Sequence, residues 1–400
     1  MAAKYDIVTV GGGLGGAALA RSMALEGRRV LVLERETEFK DRIRGEQMAS
    51  WGSSEARELG IYDLLLESGA NEMRYWDVYV GPNRIQHRDL TETTPSKLPN
   101  LGFFHPQMQE TLIAEAENAG AEVRRGARVK EVTPGETPTV TFDDDGTIES
   151  VEARIVVGAD GRNSMVRKWG GFAAEQDPER LVIAGVLLDG VEAEADTMLL
   201  TNNPMINSRA LLFPQGDGRA RSYIVRHVDA DQRYDGDTDL DKYFEHVINT
   251  GASSETYAKA TPRGPLATFN GADSWVPHPY KDGVALIGDA ASMSDPSWGQ
   301  GLSLTVHDVR LLRDRLLEND DWDAAGHTYA EDHDRDYGIV HETEDWFTRI
   351  LAEAGPEAQE LQARVIPRMM QDPDYLPDTF QSGPEHVTLD PERKREIFGD

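Results

Sequence analysis

The feature that most restricts this chain is its start, where the β-prone run Tyr5-Asp6-Ile7-Val8-Thr9-Val10 empties directly into Gly11-Gly12-Gly13-Leu14-Gly15-Gly16. Strong helix formers occupy 17–26, Gly27 ends them, and 29–33 supplies a second apolar strand closed by Glu34. Strand, helix and parallel strand within about thirty residues make a βαβ unit whose strands are apolar enough to be buried on both faces. The glycines satisfy G-x-G-x-x-G in the context where that spacing has a physical meaning. Gly11 permits the tight turn, Gly13 lets a pyrophosphate approach bare backbone, and Gly16 lets the helix close on the strand. Glu34, 23 residues after Gly11, stands where a carboxylate accepts from both hydroxyls of a ribose, which argues against a 2′-phosphate. A glycine triplet alone is weak and could be a structural turn. With its strand, helix and acid it predicts a dinucleotide site.

Composition bounds the partners. Among 400 residues, 41 Lys+Arg face 71 Asp+Glu, a formal charge of −30, and a coat of that sign repels phosphate backbones and anionic lipid heads. A small-molecule substrate is expected, with no nucleic acid and no membrane partner; oligomeric state is not readable. The acid excess fits either a salty cytoplasm or ordinary solubility in an Arg-rich, Lys-poor proteome. Cysteine is absent, which excludes disulfides, thiolate metal sites and a cysteine nucleophile. The first residues leave no room for a signal peptide, and the longest apolar stretch, 181–188, falls far short of the about 20 residues of a membrane span. A soluble cytoplasmic protein is expected, and at about 150 residues per domain it has room for two or three domains. Asp235, Asp237 and Asp239 match the first ligands of a calcium loop, but Leu240 replaces its glycine and His246 its bidentate glutamate.

Along the chain the pattern predicts a helix over 53–66, a strand over 74–80 and a polar loop to Asn100. A helix over 107–118, strands around Gly126, a hairpin turning at 143–146 and an apolar strand over 153–158 follow. Residues 181–227 change character. Short strands at 181–188, 197–200, 209–213 and 221–226, with a turn at 215–218, read as an antiparallel sheet. A buried strand at 283–288 then returns to the first pattern, followed by a helix from about Ser303 to Leu317. The remainder reads as charged helix, with Asp332-His333-Asp334 on a solvated face.

Two further blocks stand in that frame, Gly158-Ala159-Asp160-Gly161-Arg162-Asn163-Ser164-Met165-Val166-Arg167 and Gly288-Asp289-Ala290-Ala291 followed by Pro296-Ser297-Trp298-Gly299-Gln300-Gly301. Asp289 follows a buried strand, where it can accept from a ribityl hydroxyl, with a helix N-cap as the competing role. Gly299 and Gly301 open the next helix with bare N–H groups suited to the anion that forms at N1 and O2 of a reduced flavin. With the glycine fingerprint, these blocks resemble the flavoprotein aromatic hydroxylases, the single-component class A monooxygenases typified by p-hydroxybenzoate hydroxylase. The resemblance spans residues 5 to 330 and is strong at the three blocks.

It implies an α/β fold in which a Rossmann-type FAD-binding domain (1–75, 101–170, 276–330) is interrupted by an antiparallel-sheet substrate domain (76–100, 171–275). A helical C-terminal segment (331–400) follows. It implies FAD, NADH or NADPH as a transient reductant, and O₂ as co-substrate. One oxygen atom would enter an electron-rich, aromatic or polyketide-like molecule through a C4a-hydroperoxyflavin. Alternatives are a flavin-dependent alkene reductase of the geranylgeranyl-reductase type and a non-catalytic flavin-binding sensor or interaction protein. The implied cofactor contacts are Gly11, Gly13, Leu14, Gly16, Glu34 and Arg35 in the first block, Arg44, Gly45, His105 and Val129 between blocks, and Asp160 and Gly161 in the second. The third contributes Gly288, Asp289, Pro296, Gly299, Gly301 and Leu302. Arg44 and Pro296 are the catalytic candidates. Met48, Phe213, Tyr223 and Trp298 are the candidates for the substrate wall, Trp298 because an aromatic between Pro296 and Gly299 has little room except beside the flavin ring.

The chain departs from the family at Ser303, where an asparagine is usual, and at His105, where an arginine or glutamine is common. No metal is implied, there is no G-x-S-x-G or H-E-x-x-H, and the W-x-W-x-I-P signature of flavin-dependent halogenases is missing.

Overall fold

The computed structural model describes residues 5–41, 46–230, 233–372 and 374–399. Its first sheet is built on the βαβ unit. Strands Tyr5–Val10, Val30–Glu34 and Glu122–Arg125 run parallel on one side, and Thr147–Gly158 and Val284–Leu286 continue the parallel run on the other. Tyr280–Lys281 closes that edge antiparallel. The first two strands are almost wholly buried because helices Leu14–Leu25, His105–Asn118 and Gly301–Glu318 cover one face. Strands Arg128–Thr133 and Thr139–Asp144 and the long arm of Thr147–Gly158 cover the other. The hairpin turns at 143–146, where Asp143 Oδ1 accepts from the N–H of Gly146 at 2.9 Å.

The second sheet runs Thr261–Pro262, Leu181–Asp189, Ala220–His227, Ser208–Pro214, Thr197–Asn203, Tyr75–Val80, Asn83–Asp89, with Ala267–Gly271 also on Leu181–Asp189. It departs from sequence expectation twice. The 197–203 and 75–80 strands pair in parallel, so the sheet is not wholly antiparallel. The polar stretch 83–100, expected as a loop, holds the strand Asn83–Asp89 and a turn of helix, Leu90–Thr93. That strand is exposed over most of its length, so it lacks the apolar alternation by which strands are recognised. The helix expected over 53–66 is two, Ser50–Glu58 and Tyr62–Glu67, separated where Gly60 takes φ +65°.

Helices Trp322–Leu351 and Pro356–Gln371 and a short turn, Thr379–Ser382, form the C-terminal segment. No helix of the described residues is long and apolar enough to cross a membrane. The fold is thus mixed α/β, with a parallel-centred sheet, a second, mainly antiparallel sheet and a helical C-terminal segment.

Candidate active site

Parallel register brings the three motif blocks to one edge. Val10 is paired with Leu33 and Gly158, and Gly158 with Leu286, so the chain leaves all four strands at the same carboxyl end. Ligands of doubly wound sheets bind outside that end. The turn is closed by backbone alone. A Cβ at Gly16 would lie 1.9 Å from the carbonyl oxygen of Gly11, and one at Gly11, where φ is +103°, 2.4 Å from that of Ala159. Helix Leu14–Leu25 has no side-chain cap, and neither has Gly301–Glu318. Both helices begin at this edge, and the first-turn N–H groups of a helix suit an anion, which fits the pyrophosphate and reduced ring of FAD. FAD, when bound, supplies the redox chemistry.

Glu34 performs a task not visible in the sequence. Its Oε2 accepts from the N–H of Gly12 at 2.7 Å and its Oε1 from that of Glu36 at 2.8 Å, so it fixes the turn while each oxygen keeps a second lone pair for a ribose. Asp160 accepts from Ser164 Oγ at 2.5 Å and from the N–H of Met165 at 2.7 Å, capping the short helix after it, with Gly161 at φ +77° between. Asp289 lies in the turn Gly288–Ala290, its Oδ1 about one van der Waals contact from where a Cβ on Gly301 would be (3.9 Å). The N-cap position of the long helix is Gln300, whose own side chain does not cap it.

Gly13 and Leu14 sit at the start of the first helix, and Gly299, at φ +72°, and Leu302 at the start of the later one. Pro296 is exposed and opens the turn Pro296–Trp298. His105 opens helix His105–Asn118, half-buried, and Val129 is half-buried in Arg128–Thr133. Arg35 points into solvent beside Glu36, 3.5 Å away. Arg44 and Gly45 lie outside the described residues. The hydroxyl of Ser303 accepts from the N–H of Ala49 at 3.0 Å, tying the helix to the segment around Met48.

Of the four wall candidates, Phe213, Tyr223 and Trp298 fall in one apolar cluster on the second sheet, and the rings of Phe213 and Tyr223 lie 6.1 Å apart. Met48 does not join them. It is fully buried in the core beneath the first sheet's helices. Trp298 also differs from expectation. It stacks on Phe380 of the C-terminal segment at 5.3 Å, donates from Nε1 to Thr348 Oγ1 at 3.1 Å and lies under the Arg209 guanidinium. An aromatic at that position therefore had a protein surface to pack on, supplied by a part of the chain without motifs.

The sequence reading missed Arg221. It is fully buried, and Nη2 meets Asp41 and Glu46, each at 3.0 Å, while Nε and Nη1 have no hydrogen-bond partner among the described residues. Tyr223 donates to the same Glu46, and burial pushes its phenol well above the ordinary value, so it stays protonated. The signal was present. Residues two apart on a strand share a face, so an inward Tyr223 carries Arg221 inward with it.

Behind the motif edge is a polar core that the sequence reading placed in solvent. His333, on helix Trp322–Leu351, is 2% exposed and its Nδ1 is 2.8 Å from Asp308 Oδ1, while Asp308 Oδ2 accepts from the N–H of Gly288 at 2.7 Å. Asp332 is buried too, paired with Arg315; only Asp334 of that triplet is exposed. Nearby, His307 lies between Asp336 (2.9 Å) and Glu55 (3.0 Å). Burial opposes its charge, but those hydrogen bonds prevail and hold its imidazolium up to about 9. Glu385, 2.8 Å from Arg310, stands beside His307 and Asp336.

With this geometry in place, the sequence comparisons agree. The family described as FAD binding domain matches residues 4–325. A rifampicin monooxygenase of Streptomyces venezuelae is 31% identical over 364 residues, 88% of this chain and 73% of that protein. A digeranylgeranylglycerophospholipid reductase of Methanothrix thermoacetophila is 25% identical over 75% of this chain and 74% of its own length. In fold, the p-nitrophenol 4-monooxygenase of Pseudomonas putida superposes with a TM-score of 0.77 at 17% identity, covering 92% of this chain and 94% of that one. The chain belongs to the FAD-binding-domain family and is an FAD-dependent monooxygenase of the class A hydroxylase type.

Proposed function

We propose that the protein uses NADH or NADPH and O₂ to insert one oxygen atom into an electron-rich, aromatic or polyketide-like small molecule. The observation that carries this reading is the convergence of the three motif blocks on one sheet edge, beside two uncapped helix N-termini. The FAD-binding body would comprise 1–75, 101–170 and 276–330, and the second sheet would hold substrate. First-turn N–H groups at Leu14 and Gly301 would bind the pyrophosphate and the charge of the reduced ring. Phe213 and Tyr223 would wall the substrate, and the unpartnered N–H groups of Arg221 would orient an oxygen on the molecule bound there. One glycine fingerprint supports a nicotinamide that visits rather than stays.

The test is NAD(P)H oxidation with ¹⁸O₂ across a panel of phenols and polyketides. Substrate-stimulated oxidation with label in the product is expected. Alkene saturation under argon would make the protein a reductase, and no stimulation by any substrate would leave a flavin-binding sensor.

A further inference from the structure

Behind the loop that carries Pro296 and Trp298, two carboxyl groups meet in the protein interior. Asp273, one residue before strand Ser274–Trp275, is 7% exposed, and Glu344, on helix Trp322–Leu351, is 1% exposed. Their side chains are in hydrogen-bond contact. Two ionised carboxylates cannot make that contact, because each offers acceptors only, so one of them holds a proton. Glu344 Oε1 accepts from Ser294 Oγ at 2.6 Å, while Oε2 meets no N–H or hydroxyl donor among the described residues. Asp273 Oδ1 accepts from the N–H of Asp295 at 3.2 Å and faces the Tyr337 hydroxyl at 3.4 Å. Both acids thus grip the residues that lead into Pro296. The grip joins that loop to the C-terminal helix, beyond the stretch that the family shares.

The charges around the pair do not favour its ionisation. Asp295, itself buried, faces both acids from the loop, and Asp177 stands beyond, 2.8 Å from His341 Nε2. Arg180 is engaged by Asp345 at 2.8 Å, and Arg209 lies over the Trp298 ring on the side of Asp295. Burial first, and the neighbouring acids second, push Glu344 well above the ordinary carboxylate range.

We propose that Asp273 and Glu344 form a proton-operated pin that holds residues 292–299 in position for FAD, with Glu344 as a positioning residue, and that loss of the shared proton frees the loop. The inference rests on the reading that this loop faces FAD. Because the folded protein keeps a proton that the unfolded chain gives up, the pin is intact at low pH and fails as pH rises through the pair's elevated value.

The test follows the full-length protein from about pH 5.5 to about 9 by FAD affinity and by the thermal midpoint of the FAD-free protein. Wild type should lose about tenfold in FAD affinity across that range, whereas Glu344→Gln, which stays neutral and keeps both contacts, should change less than about threefold. The FAD-free midpoint should fall with pH more steeply in wild type than in the variant, which keeps only the pH dependence of the other groups, His307 among them. Asp273→Asn should repeat the result from the other side of the pair. Curves that run parallel in wild type and both variants overturn the pin. Missing oxygenated product with these differences intact counts against the proposed activity and leaves the pin standing.

Discussion

The motif edge of the first sheet and the polar core behind it lie within one helix of each other, yet they are made differently. At the edge, binding capacity comes from backbone: glycines without Cβ atoms and two uncapped helix starts. In the core it comes from side-chain pairs, His307 with Glu55 and Asp336, and His333 with Asp308, reaching between helices. Backbone sites have little tolerance for added atoms. Side-chain sites tolerate shape but depend on charge. Perturbing the two regions should therefore separate steric from titrating behaviour.

The largest effect is expected at the edge. Gly16→Val would place carbon 1.9 Å from a carbonyl oxygen of the same turn, which costs about 3 kcal/mol or more because neither backbone segment can yield. Chemical unfolding should show that loss, and the purified variant should retain no FAD. A variant of wild-type stability would mean that helix and strand are not closed on each other.

In the core, His307→Ala removes the cation that buried Glu55 and Asp336 share and leaves each with one arginine, a loss of about 2–3 kcal/mol. The sharper reading is pH. The imidazolium is held up to about 9, so its contribution is complete below its ordinary value and disappears as pH rises through the elevated one. Glu55 and Asp336 are both held low, despite burial, by hydrogen bonds to His307 and an arginine each; their share disappears as pH falls into the acid range. The difference in unfolding free energy between wild type and His307→Ala should therefore be greatest at mildly acidic pH, above the carboxylates' ordinary values and below that of the imidazole. A difference independent of pH would mean that the triad contributes packing alone.

Legibility followed the same division. The turn at Gly11 and Gly16 was recognisable because a turn closed by backbone demands glycines at fixed local spacing next to a strand. The buried face of His333 was hidden by its neighbours: it follows Asp332 and precedes Asp334 in a helix rich in charge, while Asp308, 25 residues earlier, and Tyr329 and Tyr337, a turn to either side, hold it inside. Arg221 was hidden differently, in a strand whose turn and apolar neighbours were read correctly while its own face was not inferred. The strand Asn83–Asp89 was missed because an exposed edge imposes no apolar pattern.

A smaller effect should link the two regions. Asp308→Asn keeps one acceptor oxygen where two are used, by the N–H of Gly288 and by His333. Loss of one of those bonds costs about 1–2 kcal/mol. If the core supports the edge, FAD affinity should fall along with stability, since Gly288 precedes Asp289. Unchanged affinity in a destabilised variant would make the two regions independent.

The smallest change is the most specific. The Trp298 indole donates to Thr348, stacks on Phe380, meets the edge of Phe347 and lies under the Arg209 guanidinium. Trp298→Phe removes the first contact and keeps an aromatic ring for the others, so stability should fall by about 0.5–1.5 kcal/mol. Thr348→Ala should cost a similar amount, and the double variant little more than either, because both changes delete the same bond. Additive losses would show that the indole is held mainly by something else. The same three proteins also report on the loop's task. If Trp298 positions the loop against FAD, coupling of NAD(P)H oxidation to product should decline in all three, although Thr348→Ala leaves the indole in place. Coupling lost only when Trp298 itself is replaced would instead make the ring a direct contact of the reacting molecules.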